Sequence, residues 1–216
     1  CALQYSVRLS FGIKEDDLMN EVMLFPLTSV VLPEGKMNLR IFEPRYQRMV
    51  KECSVRNVGF GVCLVGSGDD PKAVGNVSSI GTLVTIVDFE TLSDGLLGIT
   101  VAGERRFIVK RVRADSDGLR HAEVEWLDNW QEPRSHPDYL YLSHQLAHVY
   151  EQFPQLGTLY QHRFYDDPSW VAQRWLELLP LDCELFEQLV GAEDCLPALH
   201  FLNDAIEAPL QRETRI

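Results

Sequence analysis

Apolar and polar positions along this chain follow two different periods. Met23, Leu24, Phe25 and Leu27 form a dense apolar run, closed by the turn residues Pro33-Glu34-Gly35. Met37, Leu39 and Ile41 then alternate with Lys36, Asn38 and Arg40, the period-2 signature of a half-buried strand. Pro44 suits the first position of a helix, where its missing N–H costs nothing. After it Tyr46, Met49, Val50 and Cys53 fall on one helical face. Val58 to Val65 is an apolar run holding Gly59 and Gly61, which signals a bulge or a close backbone approach. Gly66 to Pro71 reads as a loop, and Ile80 to Phe89 as a strand apolar on both faces at its centre. Ser93-Asp94-Gly95 reads as a hairpin turn. Leu96–Val101 and Glu104–Arg113 read as two further strands, Asp115 to Gly118 as a turn, and Arg120–Trp126 as a last strand. Seven strand-like runs with one short helix predict a small mixed or antiparallel barrel-like sheet over residues 19–127.

The period changes after Asp128. Residues 128–137 are polar and proline-rich and read as a linker. From there Leu142, Leu146, Val149 and Phe153 follow helical spacing. Asp167-Pro168 predicts a helix start, Asp182 a second, with Leu181 and Phe186 placed as a hydrophobic staple and Gly191 as the stop. Asp194 opens a last helix with Leu196, Leu199, Leu202 and Ile206 inward. The expected class is α+β: a β-rich barrel-like part, then a helical subdomain over 138–207 and a tail over 208–216. Residues 1–18 read as an extension or upstream sequence, with Tyr5 to Phe11 able to add an edge strand.

Charge refines this reading. The net charge is −12, which counts against a nucleic-acid backbone binder. Residues 128–216 hold 5 Lys+Arg against 15 Asp+Glu, so most of the acid lies on the helical part. That pattern fits a solvated surface or a docking face for a basic partner. Five cysteines without a C-x-x-C pair support neither a zinc ribbon nor a disulfide framework and fit reduced thiols in a cytoplasm. No run approaches the ~18 apolar residues of a membrane span.

Candidate chemistry is sparse. The phosphate-cradling G-x-x-x-x-G-K-[ST] motif is absent, and Ser78 and Ser79 lack the spacing of a nucleophile elbow. His144 and His148 stand at i, i+4 with Glu151 a turn beyond, but glutamine replaces the glutamate of H-E-x-x-H, so a solvated helix face is expected rather than a metal site. Arg40, Arg45 and Arg48 form one basic cluster. Arg105, Arg106, Lys110, Arg111 and Arg113 form another, read as an exposed strand face paired with acids, the alternative being a binding groove for acidic peptide or nucleic acid. Glu43 and Arg45 can form a buried ion pair or a helix cap.

Several blocks carry a family resemblance. Leu24-Phe25-Pro26-Leu27, the Val31-Leu32-Pro33-Glu34-Gly35 turn and Ile41-Phe42-Glu43-Pro44-Arg45-Tyr46 resemble the opening of the LON substrate-binding domain. That is the N-terminal domain of the ATP-dependent protease Lon, also found as stand-alone bacterial proteins. Gly59-Phe60-Gly61-Val62, Ile80-Gly81-Thr82 and Gly103-Glu104-Arg105-Arg106-Phe107 continue the series in the family's order, over about Glu21 to Ala205.

The resemblance implies a pseudo-barrel similar to the PUA-like fold, followed by helices. It also implies non-catalytic recognition of unfolded or degron-bearing polypeptides, with Lon or another protease as a further partner and no cofactor. The ATPase and Ser–Lys protease domains of Lon follow the matched region, and neither activity is carried onto this sequence. Leu24, Phe25, Phe42 and Tyr46 are the candidate binding residues, although core packing is the first explanation for each. Two other classes stay open: an enzyme whose site is assembled from distant residues, and an RNA-binding PUA-like module.

Overall fold

The computed structural model describes residues 20–66, 75–130 and 139–212, with 207–212 as backbone alone. The expected 1–18 extension, most of the Gly66–Pro71 loop and most of the 128–137 linker lie outside the described residues. The order is β1 (Glu21–Leu27), β2 (Lys36–Ile41), α1 (Pro44–Arg56), β3 (Phe60–Val65), β4 (Val77–Thr91), β5 (Leu97–Ala114) and β6 (Arg120–Trp126). Then come α2 (Tyr139–Gln152), α3 (Pro154–Gly157), α4 (Pro168–Leu178), α5 (Cys183–Val190) and α6 (Leu196–Arg212). The helix α6 thus runs past residue 207, where the apolar pattern ends.

The six strands form one sheet in the order β2-β5-β4-β3-β1-β6, and β6 pairs again with β5. Five strands therefore close into a ring, which removes their free edges. β1 and β3 are parallel, and the other pairs are antiparallel. The two strands expected at Leu96–Val101 and Glu104–Arg113 are one, β5. Its first half pairs with β2 and its second half with β6. Gly103 marks the changeover. The β4 register slips between Leu83 and Val84 opposite it, and a Cβ there would collide with the Leu32 carbonyl. A glycine that reads as an interruption is a close backbone approach inside a continuous strand.

Side chains from the ring strands meet inside it. Leu24 of β1, Cys63 of β3, Phe107 of β5, and Ala122 and Val124 of β6 form one buried cluster, with Leu83 of β4 against it. Gly61 and Gly81 leave room for the Phe107 ring. A second cluster lies on the other side of β1, where Met23 and Phe25 join Leu39, Ile41, Phe60, Val62, Ile99 and Val101. The apolar face of α1, Tyr46, Met49, Val50 and Cys53, covers it.

The third cluster belongs mainly to the helices and reaches the sheet through Leu64, Ile80 and the loop residues Val30 and Leu32. Asp167, Asp182 and Asp194 accept hydrogen bonds from N–H groups at the starts of α4, α5 and α6, and Gly191 ends α5. Leu181 and Phe186 share the cluster. In α2 the buried stripe is Leu142, Leu146 and Tyr150, whereas Phe153 is 47% exposed. The helix stops at Gln152, before Pro154 opens α3, so Phe153 leaves the helical face.

Two buried arginines tie sheet to helices. Arg106 departs from the expected exposed strand face: it is 2% exposed and donates to the carbonyls of Val190, Ala192 and Asp128. Its face of β5 is covered by the end of α5, which period-2 patterning cannot foresee. Two others of that basic cluster behave as read: Lys110 pairs with Glu125, and Arg113 with Glu21 and Asp115. Arg174 of α4 is fully buried and grips Glu177 at 2.7 and 2.8 Å. Glu177 also accepts the Leu32 N–H at 2.7 Å, while Arg174 donates to the Pro33 carbonyl at 3.0 Å. The Pro33-Glu34-Gly35 turn forms, but Glu34 rather than Gly35 has the positive φ, 63°. Gly35 is small because the Arg174–Glu177 pair lies where its Cβ would be.

Candidate functional site

The ring is closed on one stretch of β5 and open on another. Where β5 leaves β6 it pairs with β2, and among the described residues β2 pairs with no other strand. The resulting seam holds a cavity of about 350 Å³. Asn38, Leu39, Arg40 and Phe42 line it on the β2 side, with Glu43, Arg45 and Tyr46 from the start of α1. Phe25, Pro26 and Leu27 at the end of β1, Val65 at the end of β3 and Arg120 at the start of β6 line the other side.

Phe25 and Tyr46 stack in its wall, with ring centroids 4.0 Å apart and planes inclined by 28°. The alternation of β1 turns Phe25 to this side and Leu24 to the ring interior. Burial pushes the Tyr46 hydroxyl up from its ordinary pKa, with the Arg45 cation opposing the rise. The Arg45 guanidinium sits 4.7 Å from the Tyr46 ring centre, an attractive cation–π geometry. Phe42 is 61% exposed at the end of β2. An apolar wall with an exposed aromatic beside it can exclude water from a guest side chain.

The rim is mostly basic. Arg45 donates from Nε to Glu43 at 2.9 Å and from Nη1 to the Gly118 carbonyl at 3.1 Å. The Glu43–Arg45 pair is half exposed, and the Glu43 side chain makes no cap hydrogen bond, so neither a buried pair nor a helix cap is formed. Glu43 fixes the Arg45 head at the rim instead. Arg40 pairs with Asp94 at the tip of the β4–β5 hairpin. Beyond the rim Arg48 pairs with Asp115 at 2.8 Å, Asp117 at 2.9 Å and Glu52 at 3.0 Å.

Three of the four candidate residues, Phe25, Phe42 and Tyr46, therefore share one cavity. Leu24 does not reach it: it is fully buried beside Gly61, in the cluster with Phe107. Pro26, Leu27, Asn38, Leu39, Arg40, Glu43, Arg45, Val65 and Arg120 complete the lining. Arg40 and Arg45 were legible as a basic cluster, but nothing local marks Arg120, which arrives through the Asp115–Gly118 turn. His144 and His148 are exposed on α2, His148 bonding Gln152 at 2.8 Å. Among the described residues no three His, Cys, Asp or Glu side chains converge as metal ligands. Burial pushes the Cys53 and Cys63 thiols up to about 12. No helix among the described residues is long and apolar enough to cross a membrane.

Comparison with known proteins agrees with the fold. A Lon N-terminal domain protein from Xanthomonas campestris is 33% identical, with a TM-score of 0.64, 84% of this chain covered and 96% of the other. The N-terminal domain of Mycobacterium avium complex Lon protease shares the fold at 15% identity, with a TM-score of 0.57 over 85% of this chain and 96% of the other. Residues 21–184 match the family model of the ATP-dependent protease La (LON) substrate-binding domain. The chain belongs to the LON substrate-binding domain family.

Proposed function

We propose that this chain is a non-catalytic polypeptide-recognition module, and that the seam cavity is where it holds an unfolded or degron-bearing segment. The observation that carries the reading is the stacked Phe25–Tyr46 wall beside exposed Phe42, a pocket built for an apolar side chain presented on an extended chain. The family's own description as a substrate-binding domain supports it. On this reading residues 139–212 form a helical subdomain that steadies the ring through Arg106 and Arg174, and Lon or another protease is a candidate recipient of the bound chain.

The test is direct binding. A fluorescein-labelled, reduced and alkylated model protein should bind the purified chain, and Phe42→Ala should weaken it at least about fivefold without altering the fold. Absence of binding by the unaltered chain, or equal binding by Phe42→Ala, would contradict the reading. Binding of labelled RNA at low salt, lost as salt rises, in place of the polypeptide would favour an RNA-binding module.

A further inference from the structure

The main chain of β2 alternates in direction, and one observation sets its phase. The Lys36 N–H donates to the Tyr160 hydroxyl at 3.1 Å, away from β5. The neighbouring Gly35 carbonyl accepts from Gly103 N at 2.9 Å, toward β5. In an antiparallel ladder the residues of one strand take turns to face the partner. Met37, Leu39 and Ile41 therefore bond β5, opposite Val101, Ile99 and Leu97. Asn38 and Arg40 point their N–H and C=O groups outward, into the seam. Both residues are exposed, and both line the cavity.

The charge at this edge is distinctive. The chain carries −12 overall, yet the ionisable residues of the lining, apart from Tyr46, are Arg40, Arg45 and Arg120 against Glu43, so that even with Asp94, which pairs with Arg40 from outside the lining, the rim holds more cations than carboxylates. A strand edge that pairs with no other strand among the described residues, an apolar pocket beside it and a basic rim specify the guest more narrowly than hydrophobicity does. We infer that the guest is an extended peptide that adds a strand to β2, bonding Asn38 and Arg40 through its main chain, with an apolar side chain against Phe25–Tyr46 and acidic neighbours at the arginine rim. The inference rests on the recognition reading above and adds the binding mode and the charge of the guest.

The test uses fluorescein-labelled peptides of about ten residues, a strand's length, in which leucine and phenylalanine alternate with either aspartate or lysine. The aspartate peptide should bind the intact chain at least about tenfold more tightly than the lysine peptide, and raised salt should narrow the gap. N-methylation of alternate amides in the aspartate peptide should cost about tenfold when it falls on the β2-facing amides and little in the other phase. Asn38→Pro removes an outward N–H that the ladder does not use, so folding should persist while the aspartate peptide is weakened to a similar degree. Equal binding of the aspartate and lysine peptides, or indifference to both phases of N-methylation, overturns this inference while leaving polypeptide recognition in place. Failure of both peptides to bind, together with failure of the unfolded protein, overturns both.

Discussion

At the residue scale the strongest commitments are buried charges far from the cavity. Arg106 keeps its cation although burial lowers its pKa to about 10, because three carbonyls receive it. Arg106→Ala strands those carbonyls and should cost about 3 kcal/mol in urea unfolding. Glu177→Ala leaves Arg174 buried without its carboxylate and should cost about 3–5 kcal/mol; replacing both residues by methionine should cost less than the single change. A surface group contributes to the acid limb. Arg48, then His121, hold the Asp115 carboxyl down at about 2. A depressed carboxylate stabilises the fold above its ordinary pKa of about 4, and that contribution is lost as pH falls from there to about 2. Asp115→Asn should flatten this part of a Tm-versus-pH curve; an unchanged acid limb would show that the Arg48 network does not contribute.

At the element scale, the join of β5 to both β2 and β6 creates the seam. Gly103 permits it, and Gly103→Ala, pressing a methyl into the Leu32 carbonyl, should destabilise by about 1–3 kcal/mol and disturb β2 first, as hydrogen exchange of Met37 and Leu39 would report. Element types were largely legible in the sequence: the alternation of β2, the α1 face and the caps at Asp167, Asp182 and Asp194 each express a short-range rule. The merger of two expected strands into β5 was not, because glycine inside a strand and glycine between strands look alike until the neighbouring Leu32 carbonyl is known. Arg106 was misplaced for a related reason. Periodicity separates two faces of a strand but does not tell which is later roofed by a helix.

At the scale of the whole molecule, the family blocks at Leu24–Leu27 and Ile41–Tyr46 do converge, although no local pattern shows that the end of β1 and the start of α1 meet across a seam. Leu24 illustrates the limit: it adjoins Phe25 in sequence yet faces the ring interior, so only alternation and closure together separate a core leucine from a cavity phenylalanine. On the proposed reading, the ring, braced by helices through Arg106 and Arg174, gives the cavity a fixed frame, and recognition there would require little movement of the host. Backbone NMR of the labelled chain during titration with a reduced, alkylated, permanently unfolded protein tests this most directly. Amide shifts should concentrate at Phe25, Leu27, Asn38, Arg40, Phe42 and Tyr46 and leave α4 and α5 unmoved. Saturable binding whose shifts map to the helices instead, with the seam unchanged, would contradict it.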